Sequence, residues 1–89
     1  MKNLFFGTVS DISITGNNIV IIGTDYTKYI IPIYSVTSIT FDNKINVITF
    51  KFPEKDWENF GCSSMNFQTS YYSADEIIKK YKQTIGRKN

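Results

Sequence analysis

The chain has 89 residues, of which 42% are hydrophobic, 16% aromatic and 20% charged, and its formal net charge at pH 7 is +2. A small domain of this length buries only about 60% of the surface that it exposes when unfolded, so we expect a single domain over residues 1–89 without a deep active site. The chain contains no histidine, which excludes Ser-His and Cys-His nucleophiles and removes the commonest general base and metal ligand, so we predict a protein that is not an enzyme and holds no metal and no cofactor.

The first two thirds of the chain predict a series of short strands. Isoleucine, threonine, tyrosine and phenylalanine dominate there, and β-branched and aromatic side chains suit a pleated, half-buried surface. Turn residues such as Gly16-Asn17-Asn18 and Asp42-Asn43 separate the strands. Pro32 cannot donate a ladder hydrogen bond and belongs at an edge or a bend. The predicted strands span 4–15, 19–22, 28–33, 36–41, 45–52 and 62–69.

The segment 53–61 interrupts the strand pattern. It begins with Pro53, continues with several acidic residues and ends at Gly61. Proline at the first helical position and glycine after the last one are typical of one or two helical turns. A long irregular loop is the alternative.

A C-terminal helix is predicted over residues 73–85. Ser73 and Glu76 have the spacing of a capping box, in which each side chain accepts a hydrogen bond from the backbone N–H of the other. Apolar residues recur at helical spacing and form one stripe that must cover the sheet. Gly86 suits the position after the last helical residue and opens a short basic tail, 86–89. The stripe consists of Ala74, Ile77, Ile78, Tyr81 and Ile85.

Short strands followed by one amphipathic helix suggest a bent sheet or small barrel whose open end the helix covers. This order of elements resembles the pleckstrin-homology-like superfold, especially its small bacterial and phage members, through the run 28–39 and the segment 67–81. The resemblance implies an α+β fold in which six or seven antiparallel strands form a curved sheet or small barrel, capped by the C-terminal helix. The family has seven strands, and the segment 53–61 replaces or conceals the seventh. A single-stranded-nucleic-acid fold of the Whirly or PUR type also fits the pattern.

Lipid headgroups are the ligands most often associated with that family, and they require basic residues around the first hairpin. Here the hairpin is Thr15-Gly16-Asn17-Asn18, which contains no lysine or arginine. The resemblance therefore concerns the fold, and we expect no membrane lipid as a partner.

Positive charge is concentrated at the C-terminus. Residues 1–72 carry five lysines and six acids, whereas residues 73–89 carry five basic residues and two acids. Cations near the end of a helix complement its dipole, which requires no partner. The alternative function is single-stranded nucleic-acid binding through tyrosines and the basic C-terminus, which we do not favour because the rest of the chain is nearly neutral. The basic residues for that alternative are Lys79, Lys80, Lys82, Arg87 and Lys88.

The 14 aromatic side chains favour binding to another protein. Aromatic residues are enriched at interface centres, and open strand edges pair with other chains. We therefore predict a non-catalytic protein-interaction module that forms a homodimer and, by analogy, is a phage or mobile-element product that binds and modulates a host protein. The candidate partner-binding patch centres on Trp57 and Phe60, although Trp57 covering the core is the other interpretation. The acidic rim of this patch consists of Glu54, Asp56 and Glu58.

A cytoplasmic location is expected. Cys62 is the only cysteine, so no internal disulfide forms, and we expect it to be a packed, half-buried side chain. The first eight residues hold too few apolar side chains for a signal peptide, and no apolar run reaches the roughly 20 residues of a membrane span.

Overall fold

The computed structural model describes residues 2–86, which form an α+β fold of six strands and two helices. Two short 3-10 turns, Ile33–Ser35 and Glu54–Asp56, connect neighbouring elements. The six strands and the C-terminal helix predicted from the sequence are confirmed. Neither helix in this part of the chain is long and apolar enough to cross a membrane. The elements are β1 (Asn3–Thr15), β2 (Asn18–Gly23), β3 (Lys28–Pro32), β4 (Ser38–Asp42), β5 (Val47–Lys51), α1 (Trp57–Phe60), β6 (Ser64–Gln68) and α2 (Tyr71–Gly86).

The six strands form one mixed sheet in the order β3-β2-β1-β6-β5-β4. β1 runs parallel to β6, with Asn3 opposite Ser64 and Thr8 opposite Gln68, and the other neighbouring strands are antiparallel. β3 and β4 are the two edges, so the sheet does not close. The prediction that all the strands are antiparallel is therefore wrong. Of the two predicted alternatives, a curved sheet or a small barrel, the closed barrel does not form. Alternation of apolar and polar residues reports which face of a strand is buried, but not the direction of the neighbouring strand.

β1 is bent and divides the sheet into two half-sheets. Its residues 3–8 pair with β6, and its residues 9–15 pair with β2. The register with β6 shifts between Phe5 and Thr8, where Gly7 has a φ of 103°. A positive φ costs glycine little, so Gly7 allows the chain to leave the first ladder and enter the second.

The core lies between the two half-sheets and α2. The helix buries Ala74, Ile77 and Tyr81, and Ile78 packs beside them. The apolar stripe of an amphipathic helix leaves water only where it covers the sheet, which fixes the orientation of α2. Ile85, at the end of the predicted stripe, is 37% exposed. The fully buried side chains of the strands include Ile19, Ile21, Ile31, Ile48, Phe50 and Phe67.

α2 begins at Tyr71, two residues before the predicted start. The Oγ of Ser70 accepts a hydrogen bond from the Ser73 N–H at 3.2 Å, and the Ser70 carbonyl accepts one from the Ala74 N–H at 3.1 Å. Ser70 is therefore the N-cap, and the prediction of a capping box that opens at Ser73 is wrong. Serine suits either position, and the earlier start brings the ring of Tyr71 against Phe41, with centroids 6.2 Å apart.

Helical turns fill the segment 53–61. The 3-10 turn at its start leads into α1, a single turn that ends at Gly61, where φ is 73°. The next residue, Cys62, is fully buried, and burial raises the pKa of its thiol. The only cysteine is thus a core side chain, more deeply buried than expected.

Candidate functional site

A cleft of about 430 Å³ lies between β1 and α2, and we call it the β1–α2 cleft. Ile12 and Ser13 line it from β1, and Ile77, Lys80 and Gln83 line it from α2. Neighbouring residues of a strand point to opposite faces of the sheet. Because the cleft touches both Ile12 and Ser13, it reaches the edge of β1 and not only one of its faces.

That edge of β1 has no strand beside it among residues 2–86. β6 accompanies β1 as far as Thr8, opposite Gln68. From Val9 onward β1 pairs with β2, on its other side. The second half of β1 is therefore paired with β2 on one side and has no strand on the other, although β1 is a central strand of the sheet.

The register of the β1–β2 hairpin shows which backbone groups face the cleft. Thr15 lies opposite Asn18 across a two-residue turn, and such a closing pair exchanges its hydrogen bonds across the hairpin. Hydrogen-bonded and non-hydrogen-bonded pairs then alternate along the ladder. Ile12 and Ile14 occupy non-hydrogen-bonded positions, so their N–H and C=O groups point away from β2 and toward α2.

The position of Lys80 agrees with this orientation. Its Nζ donates a hydrogen bond to the carbonyl of Ile14 at 3.4 Å. A carbonyl directed toward β2 would instead accept a hydrogen bond of the β1–β2 ladder. The ammonium of Lys80 therefore covers part of the open strand edge.

The helix side of the cleft carries charges of both signs. Lys79 Nζ lies 2.9 Å from Asp75 Oδ2, and the hydrogen bond and charge of this carboxylate raise the pKa of Lys79. Glu76 precedes Lys80 by one turn and also lines the cleft. In the described part of the chain Lys80 forms no ion pair. Lys80 is thus the cleft cation that no carboxylate neutralises by direct contact.

The basic residues predicted for nucleic-acid binding are only partly brought together. Lys79 and Lys80 both line the cleft. Lys82 follows Lys80 by two positions, about 200° around an α-helix, so it lies on the other flank of α2. Arg87 and Lys88 lie outside the described residues. Binding of single-stranded nucleic acid stays a prediction.

The predicted partner-binding patch lies around α1. Trp57 is half-buried, packs against the core and donates a hydrogen bond from Nε1 to the Phe52 carbonyl at 2.9 Å. Phe60 stacks on Phe52, with ring centroids 4.0 Å apart. The two rings thus turn inward, and a role of this patch in binding stays a prediction. Its rim consists of Glu54 and Glu58, which are exposed, and Asp56, which is half-buried.

A smaller hollow of about 260 Å³ lies beside Trp57. Its polar side chains bond to other protein groups: the Ser63 hydroxyl donates to Asn3 Oδ1 at 3.2 Å, and the Thr37 hydroxyl donates to the Lys51 carbonyl at 3.2 Å. Backbone groups without a strand partner, by contrast, line the β1–α2 cleft. The cleft is therefore the stronger candidate site.

Of the eight residues that line the cleft, only Lys79 and Lys80 are among the site residues predicted from the sequence. The six others are Ile12, Ser13, Ser73, Glu76, Ile77 and Gln83. For the two residues on β1, the lengths of the predicted strands give a signal. The predicted first strand, 4–15, is much longer than its hairpin partner, 19–22. A strand that outruns its partner needs a second neighbour or keeps an open edge, and β1 does both.

Among residues 2–86, no three His, Cys, Asp or Glu side chains lie close enough together to hold a metal ion. No protein-family model, curated protein or solved structure matches the chain. The resemblance to the pleckstrin-homology-like superfold therefore stays a prediction, and function is inferred from the geometry of this chain alone.

Proposed function

We propose that this chain is a non-catalytic, cytoplasmic protein-interaction module that binds an extended segment of another protein in the β1–α2 cleft. The observation that carries the proposal is the open edge of β1 at Ile12 and Ile14. We propose also that the chain is a phage or mobile-element product that modulates a host protein. This origin rests on the composition of the chain.

Strand addition supplies the binding mechanism. An extended segment exchanges backbone hydrogen bonds with Ile12 and Ile14, so it continues the half-sheet of β2 and β3 by one strand. Main-chain hydrogen bonds give affinity in this mode, and alternate side chains give specificity. Side chains on one face of the added strand meet Ile77, and polar side chains meet Lys80 and Gln83.

The non-catalytic part of the proposal rests on the sequence. Without histidine, a general base has to come from Asp, Glu, Lys or Tyr, and such groups become catalytic when a partner shifts their pKa. The acid at the cleft, Glu76, lies on an exposed turn of α2. Its position on the surface of α2, one turn before Lys80, is explained without chemistry on a substrate.

A library of random heptapeptides displayed on phage tests the proposal, with the full chain immobilised. We expect enriched peptides whose binding shifts the backbone NMR signals of residues 12–14. Gln83→Trp fills the cleft from an exposed position, so it should weaken binding about tenfold or more and leave the fold intact. Lys82→Trp places the same ring on the other flank of α2 and should leave binding unchanged.

Two results would contradict the proposal. One is a selection that enriches no peptide. The other is a set of enriched peptides that bind Gln83→Trp as tightly as the wild type, because their site then lies outside the cleft.

A further inference from the structure

The hydrogen bond between Lys80 and Ile14 bears on the chemistry of the bound segment. At 3.4 Å from nitrogen to oxygen it is longer than the usual range of about 2.7–3.2 Å, so it is weak. Lys80 is exposed and its stem is flexible. The ammonium is therefore easily displaced from the carbonyl by a better donor.

An added strand brings such a donor. Its backbone N–H reaches the Ile14 carbonyl at about 2.9 Å, the ordinary distance in a sheet. The ammonium then loses its acceptor but remains anchored to α2 beside the new strand. The added strand also takes water away from one side of the ammonium, and a carboxylate of the segment within reach offsets that loss.

The other charges of the cleft restrict where that partner comes from. Lys79 is already held by Asp75. Glu76 lies one turn toward the start of α2, and Gln83 lies about one turn toward its end. An acidic side chain of the segment is repelled by Glu76 at one end of the cleft and accepted by Lys80 and the Gln83 amide at the other.

We infer, on the basis of the proposed function, that the segment bound in the β1–α2 cleft carries an acidic side chain that pairs with Lys80 once the segment's backbone has taken the carbonyl of Ile14. The partner is thus an extended peptide segment with a carboxylate within one residue of the N–H that bonds to Ile14. Binding then has an electrostatic component, which weakens as salt concentration rises.

The test compares heptapeptide selections on three full-length proteins: wild type, Lys80→Gln and Lys82→Gln. We expect Asp or Glu at one fixed position of the peptides enriched on the wild type and on Lys82→Gln, and no acidic preference on Lys80→Gln. Replacing that acid by its amide in a synthetic peptide should weaken binding to the wild type about tenfold and leave binding to Lys80→Gln unchanged.

Methylation of single backbone nitrogens in the same peptide tests the displacement step. Methylation of the backbone nitrogen whose N–H bonds to the Ile14 carbonyl removes that donor and should abolish binding. Methylation of the next nitrogen, whose N–H faces away from β1, should be tolerated.

The outcomes separate this inference from the proposed function. Some enriched peptides bind in the cleft, because they lose affinity for Gln83→Trp. If these peptides show no acidic preference, the inference is overturned and the proposed function stands. An acidic preference that survives in Lys80→Gln would also overturn it. Peptides that ignore Gln83→Trp would overturn both.

Discussion

The hydroxyl of Tyr81 is a polar group that α2 carries into the core. Tyr81 is 7% exposed, and its hydroxyl donates a hydrogen bond to the Val36 carbonyl at 3.1 Å. Tyr81→Phe removes this donor, so we expect the free energy of unfolding, measured by urea titration, to fall by about 1 kcal/mol. Tyr72→Phe is the matched control, because Tyr72 is 83% exposed and its replacement should have no effect. Equal effects of the two substitutions would contradict the prediction.

The same tyrosine makes stability depend on pH at the alkaline end. Burial raises the pKa of Tyr81 above its ordinary value of 10.0. The folded chain therefore holds the proton more tightly than the unfolded chain. The stabilisation that the protonated hydroxyl gives to the folded state is complete below pH 10.0 and is lost as the pH rises further. We expect the difference in unfolding free energy between wild type and Tyr81→Phe to shrink above that pH. A difference that stays constant would show that the hydroxyl is not buried.

Trp57 is the second residue whose burial has measurable consequences. Its ring packs against the core and its N–H bonds to Phe52, so Trp57→Ala should cost about 3 kcal/mol in unfolding free energy. Tyr26→Ala removes an aromatic ring that is 89% exposed and should change stability by less than about 0.5 kcal/mol. If both variants unfold at the wild-type urea concentration, Trp57 is an exposed side chain and is available as a binding anchor.

Two serines near the start of α2, Ser70 and Ser73, are equally suited by residue type to be its N-cap. Ser70 accepts the hydrogen bond from the Ser73 N–H, so Ser70→Ala should destabilise the protein by about 1 kcal/mol. Ser73→Ala removes a side chain within the first turn and should cost clearly less. Thermal unfolding followed by circular dichroism measures both. A larger loss of stability for Ser73→Ala would show that Ser73 is the N-cap, as predicted from the sequence.

Individual elements could be predicted from the sequence because their signals are local. Alternation around Met65 and Phe67 predicts β6, and the helical spacing of Ala74, Ile77 and Tyr81 predicts α2. Each pattern reports only burial of its own element.

The pairing of β1 with β6 had no such signal. The two strands lie at opposite ends of the sheet-forming sequence, and their parallel direction depends on the path of the four strands between them. The β1–α2 cleft follows from that bend, because β6 leaves β1 after Thr8. A site made by the divergence of two strands becomes visible only when the pairing is known.

The whole molecule has a second surface suited to strand pairing, on β3. Ile30 is 56% exposed and lies opposite Val20, which is half-buried. Ile22 is two residues after Val20 on β2 and shares its outer face. β3 is also an edge of the sheet. An apolar patch beside an open ladder is a surface that a second copy of the chain covers well.

We therefore expect a homodimer in which two β3 strands pair antiparallel about a two-fold axis near Ile30. Light scattering across a range of concentrations should give about twice the mass of one chain for the wild type and the mass of one chain for Ile30→Lys. The introduced charge is desolvated in the dimer but lies in water in the monomer, so the fold of the variant should be unaffected.

Ile45 provides the matched control for this prediction. It is 58% exposed, much like Ile30, but lies in the turn between β4 and β5. Ile45→Lys adds the same charge and removes a similar apolar area away from β3, so it should leave the dimer intact. A wild type that scatters as a single chain at every concentration would contradict the prediction outright. A dimer broken by Ile45→Lys but not by Ile30→Lys would move the interface to the β4–β5 turn, because only the surface whose charge is desolvated on association responds to the substitution.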